Sequence, residues 1–203
     1  MTPALLAIDT AAPRLQLGLL RPDETADVLV EDLAQGHAEL IFPRIAGLLE
    51  RNALAYGALG RLAVTTGPGS FTGLRIGLAA AKGLGLALGV PVLGIPSLWA
   101  LSLAGPGEPF SVLLDARRGE AYLQHFAGPG RPLSPPALLP LEAARDQCAD
   151  GRPVLGTPFV DIARLARAAA TLEPGEFPAE AAYVRGPDAK PQDKARIPRR
   201  EGA

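Results

Sequence analysis

A chain of 203 residues is long enough to bury a sizeable core, either as one domain or as two small lobes. Its 20 basic and 21 acidic residues leave a formal net charge of −1, which excludes a general electrostatic affinity for nucleic acid. The single cysteine, Cys148, excludes an internal disulfide framework and a cysteine metal cluster, as is typical of a cytoplasmic protein.

The N-terminal segment shows the patterns of three strands. Residues 3–10 form a continuous apolar run that ends in Asp9 and Thr10, and residues 14–20 alternate between polar and apolar side chains. Only a short turn separates these two runs, which predicts an antiparallel hairpin. Residues 26–33 are predicted to add a third antiparallel strand.

Two helices are predicted next. The first covers residues 36–52, where leucines and isoleucines recur at helical spacing, and we expect a surface or capping role for His37 in its first turn. The second covers residues 72–88 within the stretch TTGPGSFTGLRIGLAAAKGLGLALGVPVLG, between two apolar runs. Strand, loop, helix and strand in this order predict a right-handed crossover between parallel strands, and hence an α/β domain.

The second helix carries a small residue at every fourth position. These residues are Gly73, Gly77, Ala81, Gly85 and Gly89. A glycine inside a helix costs about 1 kcal/mol relative to alanine, so the close approach of another backbone has to offset the loss. That backbone is either a strand beneath the helix or a helix of a partner subunit, and the sequence leaves both alternatives open.

The turn GPGSFTG before the second helix resembles a phosphate loop only in its glycines. A P-loop requires Lys and then Ser or Thr directly after its closing glycine, whereas Gly73 is followed by Leu74 and Arg75. A P-loop is therefore excluded. The turn still predicts a helix start with free N–H groups, an N-cap at Ser70 or Thr72, and a local affinity for anions.

An uncharged stretch over residues 83–105 is long enough to span a bilayer. Pro91 and Pro96 argue against a single helix there. We interpret the stretch as a helix end, a buried strand and a new helix that begins at Pro96 or Ser97, and we expect no association with a membrane.

The second half of the chain repeats the opening pattern. Residues 110–126 predict another hairpin, with Asp115 at the tip of its first strand in the position that Asp9 has in the first hairpin. Further predicted elements are a helix over residues 141–148, a strand over residues 153–156 and a helix over residues 160–172.

These patterns predict an α/β chain of two related lobes. We expect the first lobe to cover residues 1–104 and the smaller second lobe residues 105–185. Residues 186–203 are charged, proline-rich and without apolar periodicity, which predicts a disordered tail.

Few side chains in the sequence are suited to catalysis. Neither His37 nor His125 belongs to a paired histidine motif, so no metal site is predicted, and Ser70 does not lie in a GxSxG elbow. Asp9 and Asp115 each end a strand, where they could hold a magnesium-bound phosphate between the lobes or simply cap turns. We therefore expect no catalytic residue.

Four segments in order resemble one known family. LLAIDTA, GHAELIFPRI, TTGPGSFTGLRIGLAAAKGLGLALGVPVLGIPSLWAL and LLDARRGEAY, within residues 5–122, resemble the TsaB family of bacterial tRNA threonylcarbamoyladenosine biosynthesis. The resemblance implies the actin/Hsp70-like (ASKHA) fold, with two related lobes that each have a mixed sheet opening on an antiparallel hairpin and flanked by helices. It also implies a non-catalytic scaffold subunit, a paralogue of the TsaD transferase.

The partners implied by this resemblance are a TsaD-like transferase subunit and a TsaE-like ATPase, with a homodimer when the chain is alone and tRNA reached only through the complex. The pairing surface would lie on the two helices of the first lobe. Its implied residues are His37, Leu40, Ile41, Arg44, Ile45, Leu48, Arg75, Gly77, Leu78, Ala81, Lys82 and Gly85. A large residue at Gly77 or Ala81 is then expected to abolish pairing while the monomer stays folded.

The same resemblance implies the remnant of a nucleotide cleft. Its implied residues are Asp9, Thr10, Gly67, Gly69, Ser70, Thr72, Gly73 and Asp115. Where the family has a glycine-rich turn, this chain has Gly156, Thr157 and Pro158, and the proline lacks an N–H. This difference argues against binding of ATP or ADP, and we expect no required cofactor.

Two other functions remain open as alternatives. The first is an active phosphotransferase or ATPase of the same fold, which the missing P-loop lysine and the altered turn disfavour. The second is a metallopeptidase, which would need the paired histidines that the sequence lacks.

Overall fold

The computed structural model describes residues 3–33 and 35–182, so the tail predicted from residue 186 onward lies outside the described residues. Five strands form the first sheet: β1 (Ala4–Asp9), β2 (Arg14–Leu20), β3 (Ala26–Asp32), β4 (Leu59–Gly67) and β5 (Val92–Pro96). Their order in the sheet is β3-β2-β1-β4-β5. β1 pairs antiparallel with β2, which confirms the predicted hairpin. β4 and β5, the strands before and after the second predicted helix, pair parallel, which confirms the predicted parallel crossover.

Two helices, α1 (His37–Arg51) and α2 (Phe71–Leu88), cover one face of this sheet. Successive residues of β1 point to opposite faces, so Leu6 and Ile8 pack in the core beneath these helices and Leu5 packs on the other side. The apolar face predicted for α1 is confirmed, because Ile41 and Ile45 are buried in the same core.

A second sheet follows, and it is also mixed. Its strands are β6 (Phe110–Arg117), β7 (Glu120–Gly128), β8 (Arg131–Pro132), β9 (Ala137–Pro140) and β10 (Val154–Leu155). The helix α4 (Leu141–Gln147) lies between β9 and β10 in the chain. β6 and β7 form the second predicted hairpin, and β10 pairs parallel with β6. The short strands β8 and β9, in the proline-rich run, were not predicted from the sequence.

The remaining helices are α3 (Ser97–Ser102) and α5 (Ile162–Thr171), and they lie between the two sheets. One apolar core joins Leu5 of the first sheet, Phe110 of the second and Leu165 of α5. The division into lobes at residue 105 stays a prediction, but α5 belongs to the second predicted lobe and packs against β1 and β2 of the first.

Two residues of the first sheet hold α5 in place. At Gly18 an added Cβ would lie 2.7 Å from the carbonyl oxygen of Ile162, so the start of α5 rests directly on the backbone of β2. The Nη1 of Arg61 donates to the carbonyl oxygens of Ala169, Ala170 and Leu172 at 2.9, 3.1 and 2.7 Å. Because the last carbonyls of a helix lack partners within it, one guanidinium group caps α5 from β4.

The small residues of α2 face the first sheet. An added Cβ would lie 2.0 Å from the carbonyl oxygen of Thr10 at Gly73 and 2.4 Å from Thr10 Oγ1 at Gly77. At Gly85 it would lie 2.3 Å from Cγ2 of Val92. At Gly73, Gly77 and Gly85 the predicted close approach is therefore made by this chain itself, through Thr10 directly after β1 and through β5. Gly89, the last residue of the stripe, has nothing within 4 Å of an added Cβ.

Among the described residues, α2 is the one helix whose length and apolar composition would suffice to cross a membrane. Core helices of soluble proteins meet the same criterion. The buried side of α2 packs on the sheet, whereas its exposed side carries Arg75 and Lys82.

Candidate functional site

A cleft of about 420 Å³ lies between the tips of the two hairpins. Its walls come from residues 11–13 of the first hairpin, residues 68–70 before α2, residues 114–117 of the second hairpin and part of the segment before α5. Gly69, Ser70 and Asp115, three of the residues that the resemblance implied for the remnant of a nucleotide cleft, line it, and so does Pro158 of the altered turn.

Asp9 is not among the residues that line this cleft. Its carboxylate is fully buried, and it accepts hydrogen bonds from Thr65 Oγ1 at 2.6 Å, from Gln16 Nε2 at 3.0 Å and from the N–H of Ala11 at 3.1 Å. Burial raises the pKa of Asp9, against the lowering effect of these hydrogen bonds and of His37. The prediction that Asp9 borders the cleft is therefore wrong, because its oxygens hold the first hairpin to the sheet.

Thr10, which follows Asp9 in the chain, binds the first turn of α2. Thr10 is buried, and its Oγ1 donates to the carbonyl oxygen of Gly73 at 2.7 Å. Ser70, not Thr72, is the N-cap, since its Oγ accepts the N–H of Gly73 at 3.2 Å. Thr10, Gly67, Thr72 and Gly73, which were predicted as cleft residues, are not among the residues that line the cleft.

Sequence reasoning missed Ser97 as a cleft residue. This serine lies at the start of α3, is 3% exposed, lines the cleft, and its Oγ has no hydrogen-bond partner among the described residues. A hydroxyl in an uncharged, apolar stretch was the available signal, because a buried polar group usually has a partner. Arg117 and Tyr122 of the second hairpin were also missed.

The two histidines lie in different environments. His37 is 7% exposed, so the surface role expected for it is wrong, and its Nε2 has no hydrogen-bond partner among the described residues. His125 Nδ1 lies 2.8 Å from Ser111 Oγ in a cross-strand pair of β6 and β7. Ser111 is buried within the sheet, so this pair offers no accessible nucleophile.

The residues implied for the pairing surface divide into two groups. His37, Ile41, Ile45, Leu48, Gly77, Leu78, Ala81 and Gly85 are buried in the core of this chain, so the prediction that they form an accessible surface is wrong. Their periodicity marked the face of each helix that packs on the sheet. Leu40 and Arg44 are half-buried, and Arg75 and Lys82 are exposed. The guanidinium group of Arg44 donates to the carboxylate of Glu31, from Nε to Oε2 at 2.6 Å and from Nη2 to Oε1 at 3.0 Å.

The opposite sides of α1 and α2 form an exposed surface, which we call the outer helix face. Its residues are Phe42, Ala46 and Gly47 on α1 and Phe71, Arg75, Ala79, Lys82, Gly83 and Leu86 on α2. Leu86 is 87% exposed and Phe42 is 45% exposed. At Gly47 and Gly83 an added Cβ would meet nothing within 4 Å, so neither glycine is required by packing within the chain.

Comparisons with known proteins agree on one family. The family model described as TsaD, tRNA N6-adenosine threonylcarbamoyltransferase, matches residues 28–132. The chain is 35% identical over 200 residues to the uncharacterized protein Rv3421c of Mycobacterium tuberculosis, which covers 92% of this chain and 94% of that protein. It is 37% identical over 122 residues to the tRNA threonylcarbamoyladenosine biosynthesis protein TsaB of Bacillus subtilis, covering 58% and 52% of the two chains.

The fold agrees with this relationship. YeaZ from Pseudomonas aeruginosa superimposes with a TM-score of 0.73 at 25% identity, and the match covers 89% of this chain and 99% of that one. The predicted α/β architecture, with two mixed sheets that each open on an antiparallel hairpin, is confirmed. The chain therefore belongs to the TsaB family, within the group of proteins that the TsaD family model describes.

Proposed function

We propose that this chain is the non-catalytic scaffold subunit of a system that makes N6-threonylcarbamoyladenosine at position 37 of tRNA, and that it binds a TsaD-like transferase subunit. The names of its relatives support the pathway, since the Bacillus subtilis and Escherichia coli proteins are both named as TsaB biosynthesis proteins. The family model supports the partner class, since its description is that of the transferase and relatives of one fold commonly pair.

One observation carries the binding role, namely the two unsupported glycines of the outer helix face. A glycine in the interior of a helix costs about 1 kcal/mol relative to alanine. At Gly77 contact with the sheet offsets that cost, but at Gly47 and Gly83 an added side chain would meet only open space. Closely packed helices need small residues where their backbones approach, so these glycines suit a helix from another subunit.

Exposed apolar side chains on the same two helices support the same role. Phe42, Phe71 and Leu86 are 45%, 54% and 87% exposed on neighbouring helices. Large apolar residues that cluster on a surface are typical of protein interfaces. Arg75 lies over the ring of Phe71 at 3.7 Å, which orients a cation and an aromatic ring, both enriched at such interfaces, toward solvent.

The non-catalytic part of the proposal rests on the side chains around the cleft. Asp9, one of the two acids predicted as possible ligands of a magnesium-bound phosphate, is buried and already accepts three hydrogen bonds. Pro158 lines the cleft without an N–H for a phosphate oxygen. We accordingly propose that the subunit acts without ATP or ADP as a required cofactor, which disfavours the alternative of an active phosphotransferase.

The wider assembly follows from the same family role. We propose that the chain forms a homodimer through the outer helix face when the TsaD-like subunit is absent, and that a TsaE-like ATPase binds to the heterodimer. In this proposal tRNA is reached only through the complex, which works in the cytoplasm without a membrane.

Replacement of Gly83 by arginine tests the binding role. The side chain has open space within the chain, so Gly83→Arg is expected to fold normally and to abolish co-elution with the TsaD-like subunit of the same organism in size-exclusion chromatography. Gly107→Arg is the matched control, because Gly107 also lies in open space but far along the chain from α1 and α2. Undiminished co-elution of folded Gly83→Arg would contradict the proposed surface.

A further inference from the structure

The cleft between the hairpins has the properties of a small-molecule site that the scaffold role does not use. Its volume of about 420 Å³ lies within the range of ligand pockets. Leu101, Leu114 and Val160 supply an apolar wall, and the phenol ring of Tyr122 also borders it. A ligand bound here would therefore bury an apolar part of moderate size.

An unsatisfied hydroxyl points to a ligand at this site. Ser97 lines the cleft at 3% exposure, and its Oγ has no hydrogen-bond partner in the part of the chain that the structure describes. A buried polar group without a partner costs free energy, so such groups in folded proteins are generally satisfied by protein, water or ligand. The hydroxyl group of Ser97 is therefore available to form a hydrogen bond with a ligand in the cleft.

The charges that line the cleft set the class of ligand. Among the residues that the structure describes, the cleft is lined by one cation, Arg117, and one anion, Asp115, and both side chains are exposed. Asp115 Oδ1 accepts the backbone N–H of Arg117 at 2.7 Å, so this contact does not use the guanidinium group. The cleft therefore offers one partner for a carboxylate and one for an ammonium group, with no net charge.

A polyanion fits this lining poorly. A triphosphate needs several cations or a metal ion, whereas Asp115 would repel it and the buried Asp9 is not available to bind a metal. Gly69 and Ser70 line the cleft at the N-terminal end of α2. The partial positive charge of a helix N-terminus favours a carboxylate there. We propose that the cleft binds a zwitterionic α-amino acid, with its carboxylate toward Arg117 and Ser97 and its ammonium group toward Asp115.

Isothermal titration calorimetry on the isolated full chain tests this inference independently of any partner subunit. The probes are the proteinogenic L-amino acids, inorganic phosphate and Mg-ATP, each at millimolar concentration. At least one amino acid with an apolar side chain is expected to bind. Asp115→Asn and Arg117→Gln are each expected to weaken its binding by about tenfold or more, because each removes a charge-assisted hydrogen bond.

The sign of the Asp115→Asn effect separates the two classes of ligand. Loss of this carboxylate weakens the binding of a zwitterion, but it strengthens the binding of a polyanion by removing repulsion. Arg167→Gln, an exposed arginine of α5 that does not line the cleft, is the charge-matched control and is expected to bind as the wild type does. The inference is overturned if no amino acid binds, or if Mg-ATP or phosphate binds and Asp115→Asn tightens it.

Discussion

Asp9 carries a carboxylate into the core of the first sheet, where Thr65, Gln16 and the N–H of Ala11 donate to it. Its place at the end of an apolar strand could be predicted from the sequence. Its role could not, because a strand end next to a cleft and a strand end beneath a hairpin have the same sequence pattern. The donors Thr65 and Gln16 come from two other strands, and only the sheet order brings them together.

A dependence of stability on pH follows from this burial. Burial raises the pKa of Asp9 above its ordinary value of 3.8, so the folded protein binds a proton more tightly than the unfolded chain. The contribution of Asp9 to stability is therefore fully present below pH 3.8 and is lost as the pH rises through the pKa of the folded state. The direction is opposite to that expected for Asp27, whose pKa is lowered by Arg51.

Comparison of wild type with Asp9→Asn isolates the effect of this one group. We expect the difference in the free energy of unfolding, wild type minus variant, to fall as the pH rises above 3.8. Urea unfolding at a series of pH values measures it, and Asp115→Asn, at an exposed carboxylate, serves as the control. A difference that is constant with pH, or that grows with pH, would contradict the effect of burial.

At the scale of elements, both hairpins, the crossover through α2 and most helix positions could be predicted, because apolar periodicity and turn residues mark them. The side of α2 that meets the sheet could not. Small residues at every fourth position indicate that another backbone approaches the helix closely. They do not indicate whether that backbone belongs to the same chain or to a partner subunit. Gly83, a glycine inside α2 with no contact within 4 Å of an added Cβ, lies outside that stripe, so the four-residue periodicity did not indicate it.

Two glycines of α2 are expected to respond in opposite ways to alanine. Gly77→Ala places a Cβ 2.4 Å from Thr10 Oγ1 and 3.4 Å from Val64 Cγ2, so it should lower the free energy of unfolding by about 1–3 kcal/mol through overpacking. Gly83→Ala adds a methyl group in open space and should raise it by up to about 1 kcal/mol through helix propensity. Chemical denaturation of the two variants checks both signs, and a stabilising Gly77→Ala would show that α2 does not rest on the sheet as described.

The short strands β8 and β9 show another limit of prediction from sequence. They contain prolines and too few residues for an alternating pattern, and they are held by pairing with β7. Their pairing depends on the neighbouring hairpin, so no local signal in the sequence marks them.

At the scale of the whole molecule, the first sheet separates two apolar cores. The core under α1 and α2 belongs to the first part of the chain, whereas the other core joins both sheets through α3 and α5. Arg61 and Gly18 fix α5 to the first sheet, and α5 shares an apolar core with Phe110 and Phe126 of the second hairpin. The outer helix face lies on the far side of the first sheet, away from α3 and α5, which leaves it accessible to another subunit.

The central claim is that this chain is needed for tRNA modification without performing the chemistry itself. Its most direct test is a reconstituted threonylcarbamoylation assay with the TsaD-like and TsaE-like subunits of the same organism, with and without this chain. We predict modified tRNA only when wild type or Gly107→Arg is present, and little or none with Gly83→Arg or with this chain as the sole protein. Full modification without the chain, or modification by the chain alone, would contradict the claim.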